Sequence, residues 1–292
     1  MDKSLMDLEG MSQPLTKLVE VVADGVGGLY APFGTVRAAK ADAKAMIIRT
    51  QAENEAASLR DRAKGRLEYR ESIRQENIES ISVKAAGELP TEVSDKPVDK
   101  DWILQYLNRA QDVSDSDMQL IWARILAGEV ASPGSYSKRT LQSLETLDKE
   151  EAIAFTKLCS LAHKEEQGWN LLFDDDYIRS CAAEALNSNS YIDHFITIGL
   201  IGSEKYSPGN SDISGTKLSY FGEHFELVGP KVKQTPNLKL ELLQLPVSFR
   251  VFTQIGQQLS QISGAEPNPD FMHGWSEYIK EKLEIDVRVI IS

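Results

Sequence analysis

Residues 102–147 read WILQYLNRAQDVSDSDMQLIWARILAGEVASPGSYSKRTLQSLETL. Apolar residues recur here at spacings of three and four: Trp102, Leu104, Tyr106 and Leu107, then Met118, Ile121, Trp122, Ile125 and Leu126, then Leu141, Leu144 and Leu147. That periodicity predicts three short amphipathic helices. Ser114 to Asp117 supplies a cap and first-turn acids for the second helix, Gly128 is expected to close it, and Pro133-Gly134 to turn the chain. Ser137 is placed to cap the third. With two tryptophans among these apolar residues, the plainest role of the stretch is a packed core. Trp102, Trp122, Arg124, Glu129 and Arg139 form its expected structural hub. Trp122 keeps register with Met118, Ile125 and Leu126, while Arg124 falls off that face. Arg124 or Arg139 is then expected to pair with Glu129, or to bond the carbonyls around Pro133-Gly134.

The run D-W-x-L, then S-D-x-x-M-Q-x-I-W-A-R-I-L-A-G-E-V-x-x-P-G-x-Y-S-x-R-T-L, is similar to the most recognisable segment of a bacterial family of uncharacterised proteins, domain of unknown function 2806. The similarity is expected to run from about Leu15 to near the C-terminus. It implies an architecture and a bacterial setting associated with prophages and mobile elements. It brings no catalytic residues.

N-terminal to this stretch the chain begins with a polar tail, followed by Leu15, Leu18, Val19, Val22, Val26 and Leu29 on one helical face. Residues 1–35 are therefore a tail plus an amphipathic helix, broken at Pro32-Phe33-Gly34. The polar positions of this helix, Lys17, Glu20 and Asp24, lack the basic bias of an interfacial helix. Packing within the protein or its oligomer is the first reading, and membrane contact through 14–30 the second.

Residues 36–88 contain no proline and are rich in Ala, Glu, Arg and Lys, which predicts one long, coiled-coil-like helix. Its stripe is Ala45, Ile48, Ala52, Ala56, Leu59, Ala63 and Leu67, resuming at Ile78, Ile81 and Ala85. Ala45, Ala56, Leu67 and Ile78 lie eleven apart, the period of nearly straight or slightly right-handed packing. These positions are the expected oligomerisation surface. Arg70 and Arg74 interrupt the stripe and are expected either to end the tight packing or to meet acids of another chain. Between Arg37 and Arg74 ten basic residues face six acidic ones, net +4, on a chain whose net charge is −12. A basic helix on an acidic body suits contact between subunits, or a nucleic-acid or lipid surface confined to the helix.

Residues 89–100 form a Pro-containing linker, and 101–147 the helical module. Residues 148–264 begin with a capped helix over 148–164, then a short strand at 169–173 and helices at 177–186 and 190–198. Strand compositions follow at 217–221, 224–228, 238–243 and 247–252, and a helix capped by Thr253 ends the run. This order is similar to winged-helix modules. Residues 265–292 complete the chain with a helix at 271–283 and a strand at 285–291 added to a sheet edge.

Chemistry is sparsely signalled. Cys159 and His163 stand four apart, half of a metal site if both lie on one helix, but no zinc spacing repeats. Cys159 or Cys181 with His163, His194, His224 or His273 has no local nucleophile motif. Asp174-Asp175-Asp176 fits a helix cap better than a magnesium site. From 165 to 292 ten Lys and Arg stand against eighteen Asp and Glu, and 191–201 holds no Lys or Arg, which opposes duplex binding there. Two cysteines exclude a disulfide scaffold, and the N-terminus lacks a secretory signal, so a cytoplasmic, at most membrane-peripheral protein is expected.

The expected fold class is mainly α, with a long N-terminal helix, a small helical module and a C-terminal α+β winged-helix-like domain. The expected function is a non-enzymatic interaction or scaffold protein that forms a homo-oligomer through the long helix, binds a further protein partner and needs no cofactor. A phage-defence or mobile-element role is the suggested context. A nucleic-acid-binding regulator is the alternative.

Overall fold

A computed structural model describes residues 13–27, 43–186, 191–206, 215–229 and 248–290, with side-chain surroundings in the first half of the long second helix given from Ala57 onward. The N-terminal tail, the Pro32-Phe33-Gly34 break and the strand expected at 238–243 lie outside the described residues. The chain is mixed α+β and divides into two compact units, Met1–Glu145 and Thr146–Ser292.

Unit 1 is helical: α1 (Gln13–Gly27), α2 (Ala43–Glu88), α3 (Lys100–Ala110), α4 (Ser116–Ala131) and α5 (Lys138–Glu145). α1 lies against α3 and α4 and buries Leu18. Lys17 of α1 ties down the linker, donating to the carbonyls of Ser94 and Lys96 at 2.5 and 2.6 Å. α4 begins where Asp115 accepts the N–H groups of Asp117 and Met118. It does not stop at Gly128 but runs on to Ala131. Gly128 serves close approach: a Cβ there would sit 2.7 Å from Cε2 of the Tyr136 ring. The turn instead uses Gly134, whose φ of 94° a side chain would resist. Ser137 Oγ then accepts Thr140 N–H at 3.2 Å, opening α5.

The C-terminal half of α2 runs in the same direction as α4 and packs on it, with Ile78, Ile81 and Ala85 buried. Beside this apolar seam Gln119 is nearly fully hydrogen-bonded: its amide donates to Asn77 Oδ1 and Val113 O, and its oxygen accepts from Ser80 and Lys84. Such a satisfied buried amide fixes the register of the two helices.

Unit 2 contains α6 (Lys149–Cys159), β1 (His163–Glu165), β2 (Asn170–Phe173), α7 (Asp176–Leu186), α8 (Tyr191–Thr197), β3 (Thr216–Tyr220), β4 (Glu223–Val228), β5 (Phe249–Val251), α9 (Gln254–Ile262), α10 (Pro269–Leu283) and β6 (Asp286–Val289). The strands form one antiparallel sheet in the order β5-β2-β1-β3-β4-β6. The helix expected over 148–164 is shorter. α6 ends at Cys159, and His163–Glu165 joins the sheet between β2 and β3. Cys159 and His163 therefore do not share a helix face. Thr253 caps α9 by accepting Gly256 N–H, and β6 pairs with β4 at the sheet edge.

Alternation on β1 sends His163 to one face and Lys164 to the other. The His163 face is an aromatic core: the imidazole is fully buried, with Trp275 at 4.4 Å and Phe173, Tyr220, Phe225 and Phe271 between 5.2 and 6.0 Å. Among the described residues neither ring nitrogen of His163 has a hydrogen-bond partner. Burial lowers its pKa from 6.5 to about 3, so the ring is neutral.

Candidate functional site

The structure divides the stripe of α2 into three parts. The side chains of Ala45, Ile48, Ala52 and Ala56 lie outside those whose surroundings are described. Ile78 and Ile81, expected at an interface between chains, are buried in their own unit at 6% and 1% exposure. They are core residues, because α4 covers that face. Between these parts, every side chain from Ala57 to Ser72 is exposed, with Leu59 at 59%, Leu67 at 48% and Tyr69 at 71%.

The exposed part continues the covered one. Leu67 lies eleven residues before Ile78, while Leu59 and Ala63 lie twenty-two before Ile81 and Ala85. An α-helix drifts by only about 20° over eleven residues, so these positions stay close to the line that α4 covers further on. Coverage ends at the α3–α4 turn, where Arg74 makes a two-pronged contact with Asp112 at 2.7 and 2.9 Å. Arg74 thus meets an acid of its own chain, and Arg70 lies 3.5 Å from the adjacent Glu71. A helical stretch exposed on all faces over 57–72 gains little from propensity and from pairs such as Lys64–Glu68.

The hub residues come together only in part. Trp102 stacks on Tyr106 at 5.3 Å, Tyr106 meets Trp122 edge-on at 5.4 Å, and all three are buried. Trp102 Nε1 donates to Tyr136 O at 2.7 Å, and Tyr106 Oη donates to Trp122 O at 2.8 Å. Glu129 is buried, and its partners are backbone groups: Gly134 N–H at 2.7 Å and Tyr136 N–H at 3.0 Å. The expected arginine pairing is therefore corrected. Arg124 points to Glu88 at 3.3 Å, and Arg139 is exposed. Burial raises the Glu129 pKa in spite of the N–H donors. The arrangement is that of a brace on a turn, with the carboxylate committed to backbone donors.

In unit 2 the aspartate run divides its work. Asp175 caps α7 by accepting Ile178 N–H at 2.7 Å. Asp174 is buried and meets Arg179 at 2.6 Å, Arg250 at 3.0 Å and Lys205 at 3.4 Å. Burial would raise its pKa, but the three cations outweigh that and hold it below the ordinary value. The group ties α7, β5 and the 202–206 segment together. Burial pushes the Cys159 thiol up to about 12, far from the thiolate a nucleophile needs, and the Cys181 thiol is raised as well. His194 faces Glu151 at 2.6 Å. Among the described residues no cluster of three or more His, Cys, Asp or Glu is placed to hold a metal ion, and no helix is long and apolar enough to cross a membrane.

Residues 61–275 match the family described as protein of unknown function (DUF2806). The chain belongs to this family. The match begins well after Leu15, so α1 and the first part of α2 lie outside the family's shared region, as does β6. Searches of the curated proteins and of the solved structures return no match.

Proposed function

We propose that this DUF2806 protein is a non-enzymatic scaffold that self-associates through α2. The observation that carries the reading is the uncovered continuation of the α4-facing stripe at Leu59, Ala63 and Leu67. Each leucine is about half exposed, so covering it is worth about 1 kcal/mol, or about 4 kcal/mol for two leucines on each of two chains. Association costs about 4–15 kcal/mol, so these leucines alone do not hold a dimer. The pairing then needs the rest of the stripe, Ala45, Ile48, Ala52 and Ala56, whose alanines favour close helix approach. A bacterial mobile-element or phage-defence setting is the context that the family resemblance suggests.

The test is solution mass by light scattering on the full chain at micromolar concentration. Wild type is expected as an oligomer. The Leu59→Asp, Leu67→Asp double variant is expected as a folded monomer, since each aspartate places a charge in the proposed seam while both positions are exposed among the described residues of unit 1. A monomeric wild type removes the proposal. One observation favours a second reading: Arg60, Arg62, Lys64, Arg66 and Arg70 are all exposed on this helix of an otherwise acidic chain. If the helix binds nucleic acid, duplex affinity must fall steeply with added salt and must be lost when these residues become glutamine.

A further inference from the structure

The face of the sheet opposite His163 carries a polar row. Asn170, Lys164 and Ser219 are direct cross-strand partners on β2, β1 and β3, so their side chains stand side by side. The C-terminal ends of α6 and α9 and the β3–β4 hairpin rise around this row and enclose a cleft of 260 Å³. It has room for one small organic molecule.

Two features of the cleft are not explained by folding alone, and a third residue stands at its rim. Lys164 is exposed, and no carboxylate lies within ion-pair distance of it among the described residues, although unit 2 is acidic overall. Its neighbour on the same sheet face, Lys217, is neutralised by Glu166 at 3.3 Å.

Asn170 is buried to all but 7% yet lines the cleft. Ser260 Oγ spends its proton on Gln257 O at 2.8 Å, so it accepts from Asn170 Nδ2 at 2.6 Å. This pair fixes the amide orientation and leaves Asn170 Oδ1 at the cleft as an acceptor without a partner among the described residues.

Phe221 completes the site. Tyr220 pairs with Glu223, so Phe221 and Gly222 form a two-residue hairpin loop with φ of 46° and 90°. Such a loop normally carries Asn or Asp at its first position, because a bulky side chain is strained there. Here a phenyl ring, 45% exposed, packs edge-on against Tyr220 at 4.8 Å and stands at the rim of the cleft. The contact with Tyr220 holds the strained residue in place, and the exposed part of the ring is left to cover a bound molecule.

We propose that this cleft binds a small organic monocarboxylate with a hydroxyl or N–H donor beside the carboxylate and a flat apolar body. Lys164 takes the carboxylate, Asn170 Oδ1 accepts from the neighbouring donor, and Phe221 covers the flat body. This site is independent of self-association through α2.

The test is thermal-shift and calorimetric titration of the full chain with 3-phenyllactate at constant ionic strength. Hydrocinnamate, which lacks the hydroxyl, and phenethylamine, which lacks the carboxylate, serve as comparisons. Saturable binding of 3-phenyllactate below about 10 mM is expected, weaker binding of hydrocinnamate, and none of phenethylamine. Lys164→Gln should melt like wild type and lose at least roughly tenfold in affinity. Phe221→Asn should keep the hairpin, because asparagine suits the left-handed turn, and yet bind more weakly. The proposal is overturned if 3-phenyllactate gives no saturable response, if phenethylamine binds as well as it does, or if both variants bind like wild type. Hydrocinnamate binding as tightly as 3-phenyllactate overturns the part given to Asn170.

Discussion

Replacing Glu129 by glutamine tests how unit 1 holds its turn. The two carboxylate oxygens accept Gly134 N–H and Tyr136 N–H at 2.7 and 3.0 Å in a buried setting. Glutamine keeps the shape but offers one oxygen, so its NH2 must face a backbone N–H that has no other acceptor. A buried donor left unsatisfied costs about 1–3 kcal/mol, partly offset because a neutral amide is cheaper to bury than a carboxylate. The expected net loss is about 2 kcal/mol, which in a unit of this size lowers Tm by roughly 4–8 °C. Calorimetric melting reads this directly, with Arg139→Ala as a control expected to melt like wild type because Arg139 is exposed. The pH dependence gives a second readout. The folded pKa of Glu129 is raised above 4.5 by burial, so its ionised form costs stability at neutral pH. That cost is relieved as pH falls through the folded pKa, and wild type gains where Glu129→Gln, which does not titrate, does not. The gap between the two must therefore widen on acidification from pH 7 towards the unfolded value of 4.5. A Glu129→Gln protein melting within about 1 °C of wild type, or a gap that narrows on acidification, refutes the brace.

Two further substitutions probe the packing. Gly128→Ala gains about 1 kcal/mol of helix propensity but must displace a buried Tyr136 ring, at about 1–3 kcal/mol, so it is expected to lower the melting temperature. Gly65→Ala, with nothing within 4 Å of its new Cβ, should raise it, and a stabilising Gly128→Ala would show that Tyr136 yields freely. His163→Leu should stabilise unit 2 by about 1–3 kcal/mol, because it removes two unpartnered ring nitrogens from an aromatic core. Its folded pKa of about 3 lies below the ordinary 6.5, so wild-type stability is complete above 6.5 and is lost as pH falls towards 3. Equal acid slopes for wild type and His163→Leu, measured by melting across that window, would show that the ring is solvated or paired.

What is legible in the chain depends on how far apart the interacting residues lie. The hub of α3, α4 and α5 is written in local periodicity, and Trp102, Trp122, Leu141 and Leu144 are buried as that spacing implies. The cap at Asp115 and the turn at Gly134 are equally local. Gly128 misleads because a glycine near a helix end signals termination, whereas this one makes room for a ring. That ring belongs to Tyr136, which returns to the helix only after the turn, so the contact has no local signature. β1 escapes the sequence because Lys149–Cys159 is strongly helical, no Gly or Pro separates it from His163, and a three-residue strand cannot display an alternation. Without β1, the row of Asn170, Lys164 and Ser219 cannot be assembled, since its members are brought together only by the register of β2, β1 and β3. The arginine partners expected for Glu129 fail for a related reason. Charge suggests a cation for a buried acid, but backbone N–H groups of a tight turn serve equally well and leave no mark in the sequence.

On the proposed reading the eleven-residue repeat of α2 would serve two kinds of partner, and a pair of charges stands where the cover by α4 ends. Period alone cannot say which partner covers a stripe, because a helix of the same chain and a helix of another present the same apolar surface. Ile78, Ile81 and Ala85 are taken by α4, so they cannot also be taken by a second copy. Arg74, where the repeat calls for an apolar residue, meets Asp112 on the turn that leads into α4, and its pKa is raised by that contact. The polar position therefore falls where one cover ends. An exposed ion pair contributes little stability, typically below about 1 kcal/mol, so its use there is geometric. It closes the core of unit 1 without extending the apolar seam. The proposed self-association through Leu59 and Leu67 would then draw on residues that are exposed among the described residues of unit 1. For that reason the loss of the oligomer and the loss of unit 1's melting transition are separable, and a variant at Leu59 and Leu67 that removed both would place these leucines in the core after all.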